Sequence, residues 1–260
     1  MTSTMHTEGP LRVGLVGQQA WASATELITG PELPHVDEDL RDDWAAAGIE
    51  TPAGLDPQWG IALELTRTAK IALQLVSQYA DVVFESSLLV GNQDCVAITQ
   101  RCKVEDGPDG PEVVGAHPMI EVALAPTAQI WSLIRRVLPP LDDARATPIR
   151  PGAGYEPIVV VLENVPDSLR DDPSALLRRV PDMPDFPDDA RDALHPEASV
   201  FAIGMAEFPD GTHHFNDAWS IGARGLYHMG PGQPGIVRVP AGHLGGSLIH
   251  QLADLTNGRA

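Results

Sequence analysis

The chain has 260 residues, 43% of them hydrophobic, with 24 glycines and 24 prolines, which allows a large core joined by many loops. Its 36 acidic residues against 17 basic ones give a net charge of −19 with no basic stripe to offset it, so nucleic-acid binding is excluded. No run reaches the ~18 apolar residues a membrane span needs, and the first ten residues carry neither the basic nor the apolar region of an export signal.

Residues 1–10 are expected to be disordered, followed by a strand at 11–16 and a helix at 18–28. A link with two prolines (30–36) leads to an acidic helix at 37–47, closed by Gly48. Asp56 and Pro57 mark the next helix start, one as the capping carboxylate and the other at the first position, where no N–H is needed. That helix runs to about residue 68. Ile71, Leu73 and Leu75 alternate with more polar neighbours as in a half-buried strand, and strands at 82–90 and 95–104 follow across a turn at 91–94. The polar stretch 105–112 reads as a loop between hairpin arms, and Pro118 splits the return arm into 113–117 and 120–124. After Pro126 a helix buries Ile130, Leu133, Ile134, Val137 and Leu138, at spacing i, i+3, i+4, i+7, i+8.

Pro139 and Pro140 end the first half, and 141–157 reads as a linker. Residues 158–162 form a short strand or buried turn. The acidic region 166–197, with six prolines and eight aspartates, reads as loop except for a helix at 174–180. Strands return at 199–208, 213–221, 225–229 and 236–239, and a helix closes the chain.

Residues 120–138 and 235–253 align without a gap at a separation of 115, each a strand followed by a helix. Val122 matches Val237, and Ser132, Leu133 and Ile134 match Ser247, Leu248 and Ile249. The expected fold is therefore α+β. Two similar strand-plus-helix halves, about 11–143 and 144–260, stand in quasi-two-fold symmetry around a mainly antiparallel sheet, in one domain from 11 to 260.

No catalytic constellation stands out. Five of the nine histidines lie at 213, 214, 228, 243 and 250, but adjacent strand residues point to opposite faces and no H-E-x-x-H occurs, so no metal or other cofactor is expected. Gly245-Gly246-Ser247 lacks the full G-x-S-x-G pattern and reads as small residues that let a helix pack closely. The glycine-rich 222–235 matches no phosphate loop and reads as a hairpin. Cys95 and Cys102, on opposite faces of one strand, read as buried and reduced, which fits a cytoplasmic protein. Few lysines among the basic residues read as GC-rich bacterial coding.

Segment order carries a resemblance. The linker LITGPELPHV, AAAGIETPAGLDPQWGIAL before long strands, IWSLIRRVLPPLDDARATPI, the acidic middle and the closing VPAGHLGGSLIHQL together resemble the EspG family of type VII (ESX) secretion-associated proteins, over about residues 11–255. The chain departs from that family in its late strands, where AWSIGARGLYHMG keeps only Arg224 and nearby glycines of a turn the family often carries. The resemblance implies a cytosolic chaperone rather than an enzyme, which keeps a PE–PPE heterodimer soluble by covering the hydrophobic tip of the PPE protein. Self-association is compatible with it. Phe201, Ile203 and Met205, alternating on one strand, and Trp219 and Ile221 on the next, are the candidate partner-binding residues; the competing reading places them in the core under helices. The alternative functions are a metal-dependent hydrolase built on His213, His228 and His243, and a binding module of the same fold with another client.

Overall fold

The computed structural model describes residues 12–107, 110–152, 155, 157–158, 186–209, 211–230 and 235–258. The expectations for residues 1–10 and for a helix at 174–180 lie outside these. In chain order the elements are β1 (Arg12–Gly17), α1 (Gln18–Leu27), α2 (Glu38–Ala46), β2 (Glu50–Thr51), β3 (Gly54–Leu55), α3 (Pro57–Thr68), β4 (Ile71–Tyr79), β5 (Val82–Val90), β6 (Asp94–Gly107) and β7 (Gly110–Pro126). There follow α4 (Ile130–Val137), α5 (Asp142–Arg145), β8 (Pro157–Ile158), α6 (Asp188–Leu194), β9 (Ala198–Phe208), β10 (Gly211–Gly222), β11 (Gly225–His228), β12 (Ile236–Val239) and α7 (His243–Thr256). Capping carboxylates set two helix starts, the one at Asp56 as expected from sequence and the one at Asp37, a residue expected inside its helix. The Asp37 carboxylate accepts the N–H of Leu40 at 2.9 Å, and that of Asp56 accepts those of Gln58 and Trp59 at 2.9 and 3.2 Å. Gly48, at φ 75°, ends the acidic helix in a backbone conformation that other residues adopt only with strain.

Ten strands form one antiparallel sheet in the order β1-β7-β6-β5-β4-β9-β10-β11-β12-β8. The order is the same read from either end. A four-strand meander (β4 to β7, or β9 to β12) is flanked by an earlier strand of its own half at the outer edge (β1 or β8) and followed by a helix (α4 or α7). The halves meet where β4 pairs with β9, from Ile71 opposite Ala206 to Tyr79 opposite Ala198. This is the α+β, mainly antiparallel arrangement expected from sequence.

The gap-free residue match does not survive in the strands. Val122 packs with the α1–α3 layer, whereas Val237 belongs to the core under α4 and α7 on the other face. A displacement of one residue reverses the facing of a whole strand, so the halves share topology while the strand alignment is out by an odd number. In the helices the match fits, with Leu133 and Leu248 both fully buried.

Two further expectations are corrected. Residues 105–112 are mostly strand, because β6 runs to Gly107 and β7 begins at Gly110, so the hairpin arms extend through that polar stretch. Pro118 does not split the return arm. Gln100 pairs with Ile120 and Cys102 with Ala116, which leaves His117, Pro118 and Met119 opposite a single residue, and a bulge is where a strand tolerates a residue lacking an N–H.

The sheet carries a layer on each face. On one, α1, α2 and α3 cover β5–β7 through a core that includes Trp44, Trp59, Leu63 and Ile120. On the other, α4 and α7 cover Leu73, Leu75, Val200, Trp219 and Leu226. Helix α6 sits over β10 and β12, where Phe186 and Ala190 meet Ile158 and Ile236. Among the described residues, no helix is long and apolar enough to cross a membrane.

Candidate functional site

Period-two alternation in β4 and β9 gives each strand one face inside and one outside. Leu73, Leu75 and Ser77 of β4, and Ala198, Val200, Ala202 and Ala206 of β9, are buried under α7 and its neighbours. Their alternates stand on the opposite face, in the gap between the α1–α3 layer and α6. There Val76 is 40% exposed, Phe201 42% and Met205 40%, values far too high for core residues. Register makes them contiguous: Val76 lies directly opposite Phe201, Gln74 opposite Ile203 and Ala72 opposite Met205. On the β10 side Ala218, Asn216 and His214 lie opposite Phe201, Ile203 and Met205. The result is an apolar ridge bordered by amide and imidazole groups at the middle of the sheet.

The five candidate residues are therefore not brought together. Phe201, half-buried Ile203 and Met205 share the open face, whereas Trp219, with no exposed surface, and Ile221, at 3%, lie on the reverse under α7. The reason is register: Trp219 stands opposite Val200, a core position, and not opposite Phe201. Val76 joins the patch and was not singled out from sequence, because its facing becomes a partner surface only once β4 is known to pair with β9.

The glycine pair of α7 lets the helix pack closely. A Cβ on Gly246 would lie 1.6 Å from the carbonyl oxygen of Ile149, and one on Gly245 2.7 Å from the Trp131 ring. The 222–235 stretch supplies the tight β10–β11 turn, held by Asp192 of α6, whose carboxylate accepts the N–H groups of Ala223 and Arg224, each at 3.0 Å, and the Tyr227 hydroxyl at 2.9 Å. The aspartates of this region thus do more than solvate a surface, a role that local sequence could not reveal. Cys95 and Cys102 are buried and unpaired, and burial, reinforced by Asp94, pushes the Cys95 thiol up to about 12.

The histidines divide. His213 pairs with Ala206 near one end of β10 while His228 stands opposite Trp219, six residues along, roughly 20 Å away. His228 and His243 are neighbours, with ring centroids 5.1 Å apart, in a buried polar cluster beneath α7. Asp217 is its hub. One carboxylate oxygen bonds His228 Nε2, and the other accepts from Ser247 Oγ at 3.3 Å and Gln251 Nε2 at 2.7 Å. Serine and histidine both bond the carboxylate, so histidine does not stand between the other two as acyl transfer requires.

Burial, with a smaller contribution from His228 and against the attraction of Asp217, lowers His243 to about 4. Its folded value thus lies below that of the unfolded chain, so folding is favoured by the neutral ring. As pH falls below about 6.5 the unfolded chain takes up a proton that the fold rejects, and stability drops by up to ~1.4 kcal/mol per pH unit until about pH 4. Urea titrations at pH 7, 6 and 5 should show this slope, and His243→Leu should lose it; an equal slope in both proteins would assign the acid sensitivity elsewhere.

No family model matches the sequence, and no curated protein does. A solved structure does match: the Mycobacterium tuberculosis type VII secretion system chaperone EspG5, in complex with a PE25–PPE41 dimer. The TM-score is 0.56 at 12% identity, over 94% of this chain and 96% of that one. At that identity the likeness speaks for the fold alone, and the chain has the fold of a type VII secretion chaperone.

Proposed function

We propose that the protein is a cytosolic chaperone of a type VII secretion system that binds a PE–PPE heterodimer before export and keeps it soluble by covering the apolar tip of the PPE protein. The observation that carries this reading is the open β4–β9 face. An uncovered apolar ridge at the middle of an otherwise two-layered sheet is the surface a protein keeps for a partner. Covering an apolar tip removes the drive of that tip to self-associate. Release at the secretion machinery requires reversibility, which corresponds to micromolar to nanomolar affinity, roughly −8 to −12 kcal/mol.

Phe201 and Met205 are the anchors, with Val76 and Ile203 completing the ridge. Phe201→Glu combined with Met205→Glu places two carboxylates where the partner's apolar groups must dehydrate them, and should weaken client binding at least tenfold. Both side chains are already partly in water, so the thermal midpoint should barely move. The experiment is a tagged pull-down from the native host, wild type beside this variant, with mass spectrometry of what co-purifies. A stoichiometric PE–PPE pair held by the wild type and lost by the variant supports the reading. An unrelated partner, or a pair retained by the variant, refutes it.

A further inference from the structure

In a chain this acidic, the side chains of four arginines converge on one cleft. Arg101 of β6, Arg135 and Arg136 of α4 and Arg145 of α5 line a cavity of about 680 Å³ beside α4, on the face opposite the open ridge. One carboxylate, Glu121, lines it with them, and it is committed to Arg136 through two bonds of 2.6 and 2.7 Å. Arg145 is turned to the carbonyl oxygen of Leu138, at 3.1 and 2.6 Å, and has no counter-ion among the described residues. Arg101 and Arg135 have no ion pair among the described residues. Three net positive charges are thus held together, and burial with the repulsion of Arg135 and Arg136 lowers the Arg145 guanidinium from its ordinary value.

The floor of the cleft is apolar. Leu15 of β1 is 61% exposed, and Phe84 and Met119 are half-buried beside it. A bare phosphate would leave that floor wet. A nucleic acid or an anionic bilayer would extend past the cleft over the rest of a −19 surface. A short peptide fits both features, with carboxylates on the guanidinium groups and a large apolar side chain between them. Within a Debye length of about 8 Å the arginines outweigh the distant acidic surface.

We infer that this cleft is a second protein-binding site, which takes an acidic segment of a partner protein carrying an apolar anchor residue, separate from the β4–β9 ridge. Arginine suits the task because its planar fork meets a carboxylate with two parallel bonds.

The test is selection of a phage-displayed library of random twelve-residue peptides on the full chain, wild type beside Arg101→Glu combined with Arg135→Glu. Both positions are exposed, so the variant should melt as wild type does. Peptides recovered on the wild type should be enriched in Asp and Glu beside Leu, Ile, Phe or Met, against the bias expected of a strongly acidic bait. The best of them should bind the variant at least tenfold more weakly and should persist in 10 mM inorganic phosphate. Selection without acidic enrichment, equal binding to both proteins, or full displacement by phosphate would each overturn the assignment. Should charge reversal unfold the chain, Arg135→Ala alone gives the same comparison. Phe201→Glu with Met205→Glu should leave peptide binding intact, which separates failure of this site from failure of the ridge.

Discussion

Trp219→Ala should cost about 3–5 kcal/mol of folding stability and leave partner binding per folded molecule unchanged. The indole has no exposed surface, stacks on His228 with ring centroids 5.3 Å apart, and fills the core beneath α7. Truncation opens a cavity the size of a bicyclic ring between a long sheet and a helix fixed by its own glycine contacts, so collapse around it is limited. Against a typical total of ~5–15 kcal/mol, that loss places the variant close to unfolding at growth temperature. Phe201→Ala is the opposite case. Its ring is 42% exposed, so stability should change by only about 0.5 kcal/mol while affinity for a partner falls. Urea melts followed by far-UV circular dichroism, beside a binding titration of each variant, separate the two effects. A Trp219→Ala protein that melts like wild type and loses its partner would move that residue to the interface.

That pair of residues shows where the sequence stops being legible. Alternation told the two faces of β9 apart correctly, since it depends only on neighbours along the chain. Whether a given face looks at helices or at solvent depends on which strands pair and where helices from the far end of the chain land. Phe201 and Trp219 are both large apolar strand residues in the same half, and only the register that puts Trp219 opposite Val200 separates them. The helix start at Asp56 was readable for the same local reason, as its carboxylate caps within three residues of itself. The two-half plan was visible through its strand-to-helix order, yet the strand match paired Val122 with Val237 across opposite faces, because similar apolar residues serve both layers. The arginine cleft was hidden altogether. Its members come from β6, α4 and α5, and in sequence they look like scattered charges in an acidic chain.

Asp217→Ala should be as costly as the tryptophan truncation, by a different route. The carboxylate is 2% exposed and binds groups from two further elements, His228 on β11 and both Ser247 and Gln251 on α7. Removing it leaves the buried His228 imidazole without its acceptor and takes from half-buried Gln251 Nε2 one of two acceptors, the other being Ser247 Oγ at 3.0 Å. Breaking a buried charged network from one side costs about 3–5 kcal/mol. Asp217→Asn keeps the shape but turns an amide N–H₂ toward donors, so it should lose about 1–3 kcal/mol. The network also positions α7. Its apolar contacts, Leu244, Leu248, Leu252 and Leu255, repeat about once per turn, and a helix held by them alone could settle one turn away with a similar core. Ser247 and Gln251 meet Asp217 in one register only. The check is a double-mutant cycle: Asp217→Ala and His228→Leu together should cost ~1–3 kcal/mol less than the sum of the single losses, because a leucine leaves no stranded donor. Strict additivity would mean that the carboxylate and the imidazole act independently, and that α7 takes its place from apolar packing alone.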